Sequence, residues 1–193
     1  MSERLRIAIN TGGGDAPGLN AVLYAGAMAA HRRGWEVLGI QSGYAGLHDT
    51  SKMFPLTPER VAGIVPHGGT LLGTTNRGDP FRRPVPGAPG EFRDESSVVV
   101  ENFKRLGFDV LVAVGGDGSL SIAHRFAQKG IPVVGVPKTI DNDLAFTLST
   151  FGFDTAVSTA TEAIDKLHST AAAHERIMVV EVMGRYAGWI ALN

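Results

Sequence analysis

Between Val110 and Asp143 the sequence twice runs an apolar stretch straight into a turn of small and acidic residues. Val110-Leu111-Val112-Ala113-Val114 leads into Gly115-Gly116-Asp117-Gly118-Ser119. Pro132 to Val136 leads into Pro137-Lys138-Thr139-Ile140-Asp141-Asn142-Asp143. Short β-branched runs without polar alternation are strands buried on both faces. Ser119 to Gln128, between them, has helical spacing, and a strand, helix, strand unit places its two strands parallel. Both turns then emerge at the carboxyl edge of one sheet. A glycine-rich turn there aims backbone N–H groups at an anion, and the carboxylates beside it offer a metal ligand and a base.

The rest of the chain repeats the unit. Leu5 to Asn10 reads as a buried strand running into Thr11-Gly12-Gly13-Gly14-Asp15-Ala16-Pro17-Gly18. Leu19 to Arg33, rich in alanine, leucine and methionine, reads as a helix stopped by Gly34, and Trp35 to Gln41 as the next strand. Further helices are expected over Glu95 to Leu106 and over Thr155 to Ala173, the second with Ala156, Ala160, Ala163, Ile164 and Leu167 on one face. A strand is expected over Ile177 to Val182, followed by Gly184-Arg185-Tyr186-Ala187-Gly188-Trp189 turning into a last helix. The fold class is therefore α/β, with three layers: a mostly parallel sheet and helices on both faces. Between Ser42 and Arg93 regularity is lost. Seven prolines and nine glycines there leave room for one helix near Thr57 to Ile64, and Arg77, Arg82, Arg83 and Arg93 make the segment basic. Such a segment is either functional or covers an edge, and both readings stand for Pro84 to Gly90.

Taken singly, each turn has a plain alternative. Glycines 12, 13, 14 and 18 let the main chain approach a phosphate, with a helix N-terminus behind them, yet the run lacks the spacing and lysine of a P-loop and fits the dinucleotide fingerprint poorly; a tight turn with no ligand is its plain alternative. Asp117 is placed to hold a magnesium ion that bridges phosphate oxygens, or to cap the helix that follows. Asp141 and Asp143, two residues apart in an extended segment, share a side and suit a base and its electrostatic partner.

Composition narrows the partners. With 193 residues, 44% of them hydrophobic and 19% charged, one packed core is expected. A net charge of −1 and no basic block give no reason to expect nucleic acid or an anionic membrane, so a small molecule is the better partner. The absence of cysteine removes disulfides and thiolate chemistry and agrees with a cytoplasmic location. Neither a signal peptide nor a transmembrane helix is recognisable. The histidines are scattered without ligand spacing.

Gly13 to Asn20, Gly115 to Ser119, Pro137 to Asp143 and Met183-Gly184-Arg185-Tyr186, in that order, resemble the 6-phosphofructokinase family. The resemblance implies phosphoryl transfer to the 1-hydroxyl of fructose 6-phosphate, with Mg2+ and ATP. It implies that Asp141 is the base, that Thr139 and Lys138 lie at the transferring group, that Asp143 supports the base, and that Arg185 offsets charge on that group. It places Asp117 on the metal, and Gly13, Gly14, Gly116, Gly118 and Ser119 around the phosphate donor, with Tyr44 and Arg77 near the nucleotide. Thr139, Ile140, Asp141, Met183, Gly184 and Arg185 would meet the sugar phosphate, as would Arg176, lent by a neighbouring subunit in a homo-oligomer, a dimer or tetramer.

The same resemblance bears on the donor and on completeness. Gly118 is the mark of members using ATP, since an acidic residue there would meet the α-phosphate; Lys138 is the mark of members using pyrophosphate. Steric exclusion outranks an added cation, so ATP is expected and pyrophosphate is the alternative. Leu19 to Ala30 carries no arginine of the kind that binds effectors in regulated members. Family chains are longer, so residues 1–193 are expected to be the donor-binding part, without the sugar-phosphate half. An NAD-kinase or lipid-kinase reading explains the Gly-Gly-Asp-Gly turn alone, and a non-catalytic nucleotide-binding fragment is the reading of another class.

Overall fold

Each of the parallel strands carries apolar side chains toward two layers at once, and the helices between them supply those layers. The computed structural model describes residues 4–193. In chain order its elements are β1 (Arg6–Thr11), α1 (Leu19–His31), β2 (Glu36–Ile40), α2 (Ala45–His48), β3 (Met53–Pro55), α3 (Pro58–Val61), β4 (Arg83–Pro84), β5 (Phe92–Arg93), α4 (Ser96–Arg105), β6 (Val110–Gly115), α5 (Asp117–Gln128), β7 (Val133–Thr139), β8 (Phe151–Gly152), α6 (Phe153–His174) and α7 (Trp189–Leu192). The main sheet has the order β3-β2-β1-β6-β7-β8. All its pairs are parallel except β2 with β3.

The two faces separate by residue parity. Ile9, Val37 and Val114 pack under α1 through Leu19, Leu23, Ala27 and Ala30, four positions at helical spacing. Ala8, Leu38, Leu111 and Ala113 point the other way, against Val99 and Phe103 of α4 and Ala123 and Phe126 of α5. This is the three-layer arrangement expected from the sequence. No helix among the described residues is long and apolar enough to cross a membrane.

Four expectations are corrected. The irregular segment contains β3, which adds an antiparallel edge to the sheet, and a two-stranded hairpin, β4 with β5. Strand β7 runs on through Pro137 and Lys138 to Thr139, because β8 pairs beside Lys138 and Thr139. The run Ile177 to Val182 forms no strand: its β-branched composition expresses side-chain fit to a sheet, and it pairs with no strand among the described residues. Ile177 is 94% and Val179 92% exposed. Finally, α6 does not bury the face built on Ala156, Ala160, Ala163, Ile164 and Leu167. Ala163 and Ile164 are exposed, the other three half-buried, and Phe153 at its start is the one buried residue of the helix.

Candidate functional site

The strand order fixes where a ligand can sit. From β1 the chain moves to β2 on one side and later returns to β6 on the other, so the loops leaving the carboxyl ends of β1 and β6 diverge and leave a crevice. A cavity of about 760 Å³ opens there. Its walls come from Gly12 to Ala16 after β1, from Gly116 to Ser119 after β6, and from Lys138 to Asp141 at and beyond the end of β7. The loop residues Gly43 and Tyr44, and 75–79, close a further side.

The two glycine turns are glycine for different reasons. A Cβ on Gly12 would lie 2.5 Å from Ser119 Oγ, and one on Gly115 would lie 2.4 Å from Ser119 Cβ. Ser119 is thus wedged between the turns, and the missing side chains allow the first turn of α5 to close against β1. Gly118 is unlike them: a Cβ there meets nothing within 4 Å, although the residue lines the cavity. Protein packing does not require glycine at 118. Asp117, expected just before the helix, is instead the first residue of α5 and lines the cavity. Tyr44 is buried and donates its hydroxyl proton to Ser119 O at 2.7 Å, with its ring tilted against Phe126 at 5.7 Å. Burial, aided by Asp79, pushes its pKa far above the ordinary tyrosine range. The phenol therefore holds the α5 turn in place as well as forming cavity wall.

Lys138 is 3% exposed, and its ammonium donates to the carbonyl of Gly14, joining the end of β7 to the turn after β1. Burial lowers its pKa, with Asp15 acting in the opposite sense. Next to it, Thr139 Oγ1 accepts the Asp141 N–H at 3.1 Å. Asp141 lines the cavity, and its Oδ1 is buried without a hydrogen-bond partner among the described residues. A carboxylate oxygen in that condition is costly unless a ligand or proton completes it.

The structure separates Asp143 from Asp141. Asn142 adopts φ 48°, so the chain turns instead of staying extended. Asn142 holds the turn by accepting from Thr150 N at 3.0 Å and donating to Leu148 O at 3.2 Å. Asp143 is exposed and outside the cavity wall, which corrects the shared-side expectation. Met183 reaches the cavity, and Gly184 lies beside it: a Cβ there would stand 3.9 Å from Asp141 Oδ1. Arg185 is exposed with its guanidinium 4.5 Å over the Tyr186 ring, and Arg176 follows α6; neither lines the cavity.

Several wall residues escaped the sequence reading. Arg125 on α5 lies 3.7 Å over the Phe81 ring and 3.8 Å from Asp79, which fixes a cation at the cavity wall near Arg77. Ser121 and Ile122 of α5, with Thr75 and Asn76, complete that side. Ser121 and Ile122 lie three and four residues after Gly118, and Arg125 four and three after them, the one signal that could have found them. Pro84 to Gly90 lies in the β4–β5 hairpin away from the cavity. Glu95 secures that hairpin by pairing with Arg83 at 3.1 Å, with Arg93, and with His48 at 2.8 Å. Among the described residues no three potential metal-ligating side chains gather in one place.

Two glycine turns and a carboxylate-bearing strand end meet where the sheet switches direction, the arrangement of an α/β protein with a crevice at the carboxyl edge of its sheet. The chain belongs to the phosphofructokinase family, whose model matches residues 6–193. It is 51% identical over 194 aligned residues to ATP-dependent 6-phosphofructokinase 1 of Nostoc sp., covering all of this chain and 54% of that one. The chain thus spans about half the length of the curated relatives it matches. Among solved structures, phosphofructokinase from Saccharomyces cerevisiae superposes with a TM-score of 0.83 at 33% identity, over 98% of this chain and 27% of that one. Pyrophosphate-dependent phosphofructokinase from Nitrosospira multiformis superposes with a TM-score of 0.72 at 25% identity, over 96% and 48%.

Proposed function

We propose that residues 1–193 form the donor-binding part of a 6-phosphofructokinase, which transfers a phosphoryl group from ATP to the 1-hydroxyl of fructose 6-phosphate. The observation that carries this reading is the buried, unpartnered Asp141 Oδ1, set in one cavity with the Asp117-Gly118-Ser119 turn. Asp141 takes the proton of the attacking hydroxyl, and Thr139, which shapes the turn beneath it, stands at the transferring group. The backbone of Gly13, Gly14, Gly116 and Gly118 and the N-terminus of α5 neutralise the phosphates. Asp117, at the first turn of α5 and in the cavity wall, would hold magnesium, which when bound would offset the charge of the phosphates. A single carboxylate suffices beside phosphate and water ligands, so Asp117 fits without a larger cluster. Sugar-phosphate binding falls to Ile140, Met183, Gly184 and Arg185, to the second half of longer relatives, and to Arg176 acting across subunits of a homo-oligomer.

ATP is favoured over pyrophosphate by the names of the relatives near 50% identity and by the open space at Gly118. Lys138 is engaged with Gly14, which gives it a local role whatever the donor. The test is coupled turnover with fructose 6-phosphate and either ATP or pyrophosphate. It is run on this chain and on a longer polypeptide continued by the second half of a relative. Turnover with ATP in the longer polypeptide is expected; turnover with pyrophosphate alone overturns the donor assignment, and turnover with neither overturns the activity.

A further inference from the structure

The segment 67–77 delivers Thr75, Asn76 and Arg77 to the cavity but forms neither helix nor strand. Backbone without a ladder must find its hydrogen bonds elsewhere. Here it finds them on buried side chains of two distant elements. Asn20, in the first turn of α1 and buried, donates to His67 O at 3.0 Å and Gly68 O at 3.5 Å, and accepts from Leu71 N at 2.8 Å. Thr11, fully buried at the end of β1, donates to Gly73 O at 2.9 Å and lies 3.0 Å from Thr70 Oγ1. Downstream, Gly13 N donates to Thr75 O at 3.2 Å, and Arg77 N donates to Thr75 Oγ1 at 3.0 Å. Asn20 and Thr11 do not themselves line the cavity.

We propose that Asn20 is a positioning residue for the phosphate donor: its amide pins the 67–77 loop to α1 and so sets where Arg77 stands in the cavity. The inference rests on the reading that the donor lies on the Arg77 side. An amide suits the task because it donates and accepts from one short side chain, matching both kinds of loop group it meets. Leucine of similar size supplies neither function, and aspartate only the acceptor.

Hydrogen exchange and ATP–magnesium titration on Asn20→Leu, Asn20→Asp and Thr11→Val test this. In Asn20→Leu, amide exchange within 67–77 is expected to rise on the order of tenfold or more, and ATP affinity to fall on the order of tenfold, as for buried hydrogen bonds left unmade. Amides of β6 keep their protection. In the longer polypeptide the KM for ATP rises more than kcat falls. Asn20→Asp, which keeps the bond from Leu71 N, falls between; Thr11→Val moves in the same direction. Unchanged exchange in the loop, or a rise shared equally with β6, overturns the anchoring. A looser loop with unaltered ATP affinity overturns the positioning. If the unsubstituted chain binds neither ATP nor pyrophosphate, the proposed function fails and the donor role falls with it, while loop exchange still decides the anchor.

Discussion

The carboxyl ends of β1, β6 and β7 and the stretch after β7 carry equally suggestive residues, yet they are held in opposite ways. At the strand ends Ser119 fills the space left by two glycines, Tyr44 is tied to Ser119, and Lys138 is tied to Gly14. After β7, Phe146, Leu148, Ile177 and Val179 stand almost wholly in solvent, and Arg185 touches its own neighbour. The contrast separates residues placed by this chain's own packing from residues that it does not place. The groups proposed for the donor are of the first kind, and most of those proposed for the acceptor are of the second.

The largest test falls on the residue at the boundary. Replacing Asp141 by Asn keeps the shape of the side chain and removes the proposed base, so turnover of the longer polypeptide should fall about 10²–10⁴-fold while its unfolding midpoint stays put. Near-normal turnover would move the base elsewhere and erase the boundary.

Packing itself is tested by a pair. Leu111→Ala, at a fully buried position on β6, should cost about 2–5 kcal/mol in urea unfolding. Ile177→Ala, in the exposed run, should stay within about 0.5 kcal/mol. Equal costs would show that the run is packed after all.

Glycine substitutions sharpen the comparison within the donor side. Gly12→Val drives a side chain into Ser119 and should cost about 1–3 kcal/mol together with donor binding. At Gly118→Asp the added Cβ has no protein atom within 4 Å, so stability should hold within about 0.5 kcal/mol while the KM for ATP rises relative to that for pyrophosphate. If Gly118→Asp unfolds the chain, Gly118 is there for packing and not for donor choice.

Legibility followed the same division. The strands and helices from β1 to β7 were readable because period and composition agree with a buried sheet: Val110 to Val114 has one plausible fate. Asp117 and Gly118 were readable because a strand end followed by a glycine turn has few uses. Arg125 and Asp79 were not, since their meeting over Phe81 is decided by how α5 packs on the irregular loop. Ile177 to Val182 misled because strand propensity describes a partner as much as a segment. Asp143 misled through a single dihedral, that of Asn142.

The smallest effect concerns the buried cation that joins β7 to the Gly14 turn. Burial lowers the Lys138 pKa below the ordinary lysine value, with Asp15 opposing. Between those two pKa values the unfolded chain therefore binds more protons than the folded one, and stability rises with pH across that window. Below it both states hold the proton and the penalty for burying the charge is complete and constant. Lys138→Met removes the titration and fills the space. Urea unfolding of both proteins from about pH 7 to about pH 10.5 should show the lysine protein gaining stability relative to the variant as pH rises, since groups common to both cancel in the difference. A difference that falls with pH would mean that the folded chain favours the ammonium, through its bond to Gly14 and its attraction to Asp15, over the neutral amine. The strand-end contact would then be a net electrostatic attraction, and Lys138 would resemble a paired surface lysine more than the buried strut described above.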